Sequence, residues 1–140
     1  MDKVRLAAVG FSVAGVAVSI YLTLLHYAGI VPACPVSGAI NCEAVLSSSY
    51  AVIAGTSVPT SAAGIVWFGA SALIWGWRSD PLHLAWSAIG LLAVVYLVFI
   101  EIVRLGVICL WCTAAHFLVI AIVMIAVTLS LRGRGLGRGA

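Results

Sequence analysis

The sequence predicts an all-α membrane protein: a bundle of four transmembrane helices, with an outer loop and a short interfacial helix between the first two. Three observations carry this. Hydrophobic residues make up 64% of the 140-residue chain and charged residues 8%, a balance foreign to soluble globular domains. The apolar residues fall into blocks close to the roughly 20 residues that a helix needs to cross a bilayer. Between the blocks stand the Gly, Pro, Ser and Asn that interrupt helices.

Asp2, Lys3 and Arg5 precede an apolar run over about residues 6–27. A signal peptide's apolar core is shorter, roughly 7–15 residues, so this run is read as a retained first span. Its Ala7, Gly10, Ser12, Ala14 and Gly15 suit close helix packing, and His26 and Tyr27 belong at the far interface. Residues 28–59 form the outer loop, which contains Cys34 and Cys42; Pro35 and Ser37-Gly38 between them permit a turn that brings the two together. Within that loop, Glu43 to Ala54 reads as a short helix lying on the mouth of the bundle.

Pro59 stands where helices start, ahead of a second span over about 60–77. Arg78-Ser79-Asp80-Pro81 forms a tight turn into a third span over about 82–102. Glu101, Arg104 and Gly106 mark the next short loop, with Glu101 and Arg104 spaced to form an interfacial ion pair. The fourth span covers about 107–131, and residues 132–140 read as a disordered tail.

Charge sets the orientation. Four spans put Lys3, Arg5, Arg78, Arg132, Arg134 and Arg138 on one side and Arg104 on the other, so the basic side, with both termini, is expected in the cytoplasm. The chain is therefore expected to be multi-pass in the plasma (inner) membrane, in contact with membrane lipid. Its cysteines then lie on the outer side, where oxidising chemistry is possible. The few loop charges do not resemble the basic patch of a nucleic-acid binder. Four spans leave little of the chain for a soluble domain, so a water-soluble partner is expected from another chain.

The chemistry concentrates in Cys109-Leu110-Trp111-Cys112, a C-x-x-C at the start of the fourth span. Helical neighbours at i and i+3 have Cβ atoms roughly 5–6 Å apart, and a disulfide wants about 3.5–4.5 Å. The bond therefore forms most easily in the first turn, where the hydrogen-bond ladder is incomplete. That turn also presents free N–H groups and the positive end of the helix dipole, which favour a thiolate. Cys109 is expected nearer water and Cys112 deeper, one exchanging with thiols and the other facing an apolar oxidant. A structural disulfide and half of a metal site are the competing readings of the same motif.

Cys34-x7-Cys42 in an outer loop, Ser48 or Ser49 shortly after, and C-x-x-C at the outer end of a fourth helix together resemble the vitamin K epoxide reductases and their bacterial homologues. The resemblance covers about residues 5–131, to a bacterial-type member without a fused thioredoxin domain. It implies a four-helix bundle around a quinone (ubiquinone, menaquinone or vitamin K) that accepts electrons from a periplasmic or cell-surface thioredoxin-like protein. It further implies that Cys34 exchanges with that partner, Cys42 attacks Cys109 and Cys112 faces the quinone. Ser48 is the first candidate, and Ser49 the second, for the hydroxyl that this family places near the reactive sulfur or quinone.

Two positions depart from the vertebrate pattern. His116 replaces a tyrosine four residues past the last cysteine, on the face of Cys112, where it can donate to a quinone carbonyl or take a proton. Pro59-Thr60-Ser61 stands where an asparagine contacts the substrate, which makes Thr60 a candidate contact. Trp111, inside the redox motif, is a candidate wall of the quinone pocket. The leading expectation is a thiol:quinone oxidoreductase supporting disulfide formation. Reduction of vitamin K or its epoxide is the alternative within the same class. A cysteine-based metal-binding membrane protein is the alternative from another class, as soft thiolates are metal ligands.

Overall fold

The structure is a computed structural model that describes residues 2–77 and 79–138, with side chains through residue 135. Among these residues, five α-helices follow one another: α1 (Lys3–Ala28), α2 (Cys42–Leu46), α3 (Thr60–Ile74), α4 (Asp80–Phe99) and α5 (Leu110–Arg138). A π-helical segment, Ile100–Leu105, extends α4. Among the described residues, three helical stretches, Lys3–Ala28, Asp80–Leu105 and Leu110–Gly135, are long and apolar enough to cross a membrane.

The expected second span is shorter than its sequence suggests. α3 begins at Thr60 behind Pro59 as read, but it ends at Ile74, and its 15 residues reach about 22 Å at 1.5 Å per residue. Trp75 turns inward at that point, 1% exposed, and its indole stacks on the His83 ring at 4.2 Å. The ring of His83 also meets the Ile74 carbonyl, Nε2 to O 3.1 Å, so the end of α3 and the start of α4 are tied together. Arg5 reaches the same corner, donating to the Trp77 carbonyl at 2.8 Å and to Asp80 at 3.1 Å. Arg78, in the expected turn, lies outside the described residues.

Small residues decide how closely the helices approach. Ala8, Ser12, Gly15, Ser19 and Leu22 form the buried stripe of α1, while Gly10, Ala7 and Ala14, expected to pack, face outward. The Phe68 ring of α3 occupies the space that a Cβ at Gly15 would need. Ser12 donates to Ser71 at 3.2 Å, and Thr23 and Ser61 share a bond of 2.8 Å; interhelical hydrogen bonds of this kind average about 0.6 kcal/mol in membrane bundles. α1 thus packs on both α3 and α5, and α4 packs on α5. The sparser α3–α4 seam is bridged by Trp67 stacked on Trp86 at 6.1 Å.

Three further expectations are corrected. The interfacial helix, expected over 43–54, is the single turn Cys42–Leu46. The Asn41 side chain caps it by accepting from the Ala44 N–H at 3.0 Å, and the Ser47 and Ser48 hydroxyls end it by donating to the Glu43 and Val45 carbonyls. The expected Glu101–Arg104 ion pair does not form: Arg104 donates to the Tyr50 hydroxyl at 2.9 Å, and Glu101 is buried. Finally, α5 continues to Arg138 through residues expected to be disordered. Once a helix exists, each added residue gains one hydrogen bond for its own ordering cost, so even glycine can extend it. Residues 139–140 of the expected tail lie outside the described residues.

Candidate functional site

The outer loop is stitched to the start of α5 by backbone. Asn41 N–H donates to the Ile108 carbonyl at 3.0 Å, and Ile108 N–H to the Ala39 carbonyl at 2.7 Å, a parallel bridge centred on Ile40 and Ile108. Gly106, at φ 67°, provides the left-handed turn that lets the chain leave the π segment and run alongside the loop. This register brings Cys42 beside Cys109. Both are 0% exposed and share one cluster with Val45, against which Cys34, Cys112 and Trp111 pack.

Cys34 and Cys42 are joined in a disulfide with Cα atoms 6.1 Å apart, while Cys109 and Cys112 are free. Cys109 sits just before α5 and acts as its cap: its carbonyl accepts the Thr113 N–H at 2.9 Å, and its Sγ accepts the Cys112 N–H at 3.3 Å. The sulfur therefore stands where helix N–H groups stabilise negative charge. Cys109 precedes the stretch Leu110–Gly135, which is long and apolar enough to cross a membrane. A hydrogen bond from the Cys112 side chain holds its thiol below the ordinary cysteine range, helped by the Cys112 and Trp111 N–H groups; burial and the Glu101 charge oppose the shift.

The expectation that Cys109 stands nearer water is not met: it is sealed beneath Cys42 and Val45, while Cys112 keeps some accessible surface. What distinguishes them is what each faces. Cys109 meets the loop, and Cys112 lines a cavity of about 340 Å³ formed by the five helices, the π segment and the outer loop. That volume falls within the range of small-molecule sites, roughly 300–1,000 Å³.

The cavity wall is almost wholly apolar, from Leu22, Trp67, Phe68, Val94, Ile100 and Val119, with a few polar groups. His116 is one of them; it is 7% exposed, and among the described residues neither ring nitrogen has a hydrogen-bond partner. Ser48 also lines the cavity, its hydroxyl donating to the Val45 carbonyl at 2.7 Å. Thr60 lines it too, donating to the Tyr50 carbonyl at 3.2 Å.

Two candidates lie elsewhere. Ser49 is exposed and lines no part of the cavity, because the turn after Leu46 points successive serines in opposite directions. Trp111 faces away from the cavity: its ring meets Tyr21 at 4.8 Å, and its indole N–H donates to the Ala33 carbonyl at 3.1 Å. It ties α1 and the outer loop to the redox motif from behind.

Glu101 is the residue that the sequence reading assigned elsewhere. It is 5% exposed, lines the cavity, and accepts the Cys109 N–H on Oε2 at 3.2 Å. A signal for it was present. His83, Ser87, Gly90 and Val94 form the buried stripe of α4, and continuing that stripe at 3.6 residues per turn leads to position 101. The i, i+3 spacing to Arg104 pointed instead to the surface. The π segment buries Ile100 and Glu101 together and leaves Arg104 outside.

Among the described residues, no three His, Cys, Asp or Glu side chains are grouped so as to hold a metal ion. A model of the vitamin K epoxide reductase family matches residues 6–127. Comparison with curated proteins finds no match.

Proposed function

From the premise that the chain belongs to the vitamin K epoxide reductase family, we propose that it passes two electrons from an extracytoplasmic thioredoxin-like protein to a membrane quinone, supporting disulfide formation outside the cytoplasm. The family is one of membrane thiol–disulfide oxidoreductases. Cys34, the more accessible loop cysteine, exchanges with the partner. Cys42 attacks Cys109, and Cys112 faces the quinone. The observation that carries this reading is the placement of all four cysteines in one cluster, with Cys112 opening onto an apolar cavity beside His116.

The chemistry balances without further reagents. Two thiols lose two electrons and two protons as the Cys109–Cys112 bond forms, and the quinone takes up both as the quinol. The inner disulfide is reduced again by the loop dithiol, and the loop disulfide by the partner. Each exchange needs a thiolate attacker, and direction follows potential, with 30 mV worth about 1.4 kcal/mol for two electrons. The cavity's apolar wall suits a quinone ring, with the His116 imidazole and the Ser48 hydroxyl as polar contacts and Thr60 beside them. In the membrane, Lys3, Arg5 and the basic C-terminal segment face the cytoplasm, and the cysteines face outward.

The test is anaerobic reduction of ubiquinone and menaquinone analogues by the purified protein with a dithiol donor, comparing the natural chain with Cys112→Ala. Turnover lost in Cys112→Ala supports the route. Turnover retained in that variant, or none in the folded natural chain with titratable thiols, overturns it.

A further inference from the structure

We propose that Glu101 is the proton-carrying carboxyl of this site, taking the proton that Cys109 gives up and returning it toward the quinone. The inference rests on the thiol-to-quinone reading above. Glu101 touches both halves of the chemistry. One carboxylate oxygen holds the Cys109 N–H at 3.2 Å, and the side chain lines the cavity with Cys112 and His116. Among the described residues it has no cationic partner, because Arg104 is turned to Tyr50 and Arg5 to Asp80.

An unpaired carboxylate in an apolar wall is costly, and a thiolate beside it adds like-charge repulsion. Two adjoining acids in such surroundings behave as a coupled pair that shares one negative charge. Proton transfer from the Cys109 thiol to the Glu101 carboxylate keeps that charge constant while producing the nucleophile. When the Cys109–Cys112 bond forms, two electrons pass to the quinone. The Cys112 proton and the proton held on Glu101 then complete the quinol, and the carboxylate is restored. The other titratable side chains around this wall are Cys112 and His116 on α5, His26 on α1 and Tyr50 in the outer loop.

A structural role and a proton-carrying role separate by substitution. Glu101→Gln keeps an oxygen for the Cys109 N–H but cannot carry the proton; Glu101→Ala removes both. If Glu101 carries protons, single-turnover quinone reduction by the pre-reduced protein slows in both variants by about 10- to 100-fold, at or below the usual range for losing a general acid–base, and Glu101→Asp recovers part of it. Natural rates in Glu101→Gln with slow Glu101→Ala would show a hydrogen-bonding role alone and overturn the inference. Absence of quinone reduction in the natural chain would overturn the underlying reading, and this inference with it.

A second readout uses no quinone. The infrared difference between the reduced and oxidised protein should contain a protonated-carboxyl band in the reduced state that shifts in deuterium oxide and is missing in Glu101→Gln. The chain's other carboxyls are few: Asp2 and Glu43 are exposed, and Asp80 is paired with Arg5. No such band in the natural chain, or the same band in Glu101→Gln, overturns the proposal. The natural-chain spectrum stands even where a variant does not fold.

Discussion

Replacing Asn41 by alanine should loosen the cover over Cys109 without touching any cysteine. Asn41 caps a helix of five residues, its side chain accepting the Ala44 N–H at 3.0 Å. Loss of such a cap costs about 1 kcal/mol, and a single turn has no further ladder over which to spread the loss. α2 carries Cys42 and Val45, which bury Cys109 to 0% exposure. Cys109 therefore reacts with a reagent from the loop side only when that cover opens, and local opening of this kind has its own free energy. A loss of about 1 kcal/mol multiplies the open population roughly fivefold. The assay is alkylation of Cys109 by a small maleimide with the Cys34–Cys42 bond left intact, followed residue by residue by mass spectrometry. The rate should rise about fivefold in Asn41→Ala, in proportion to that population, and stay near the natural value in Asn41→Ser, which keeps a capping oxygen. An unchanged rate in Asn41→Ala, or equal acceleration in both variants, would refute the reasoning.

Cys42→Ser should stop electron flow from a protein donor while dithiothreitol still reduces the Cys109–Cys112 pair directly; natural turnover with the protein donor would show that the relay order is wrong. His116→Phe removes the imidazole one turn along α5 from Cys112 and should raise the Michaelis constant for quinone several-fold, so an unchanged constant and turnover would return His116 to a packing role. Gly90→Val should destabilise the bundle, because a Cβ at Gly90 meets the Trp67 ring and overpacking of this kind costs about 1–3 kcal/mol. A thermal unfolding midpoint in detergent equal to that of the natural chain would contradict it.

Much of this protein was decided by its sequence alone. Transfer into a membrane is close to additive over residues, so the composition and the lengths of the apolar blocks were enough to mark α1, α4 and α5 as long and apolar enough to cross a membrane without knowing what they touch. Local signals marked where helices begin and what the C-x-x-C can do: Pro59 ahead of α3, and Cys109 at a helix start where N–H groups stabilise a thiolate. The inward periodicity of α4 even contained Glu101, though its spacing to Arg104 suggested an ion pair.

Tertiary structure decided the rest, for a physical reason. Which side chains share a cavity depends on contacts between segments far apart in sequence, and residue-by-residue preferences do not encode their register. The Ile40–Ile108 bridge seats Cys42 on Cys109 and seals the cysteine expected nearer water. Within the π segment Glu101 stays buried while Arg104 is turned away from it to Tyr50. The turn after α2 selects Ser48 over Ser49, and the bond from Trp111 to Ala33 takes the indole out of the cavity wall. Most of these outcomes turn on a few hydrogen bonds between segments far apart in sequence, each worth about 1 kcal/mol, which only the assembled bundle supplies.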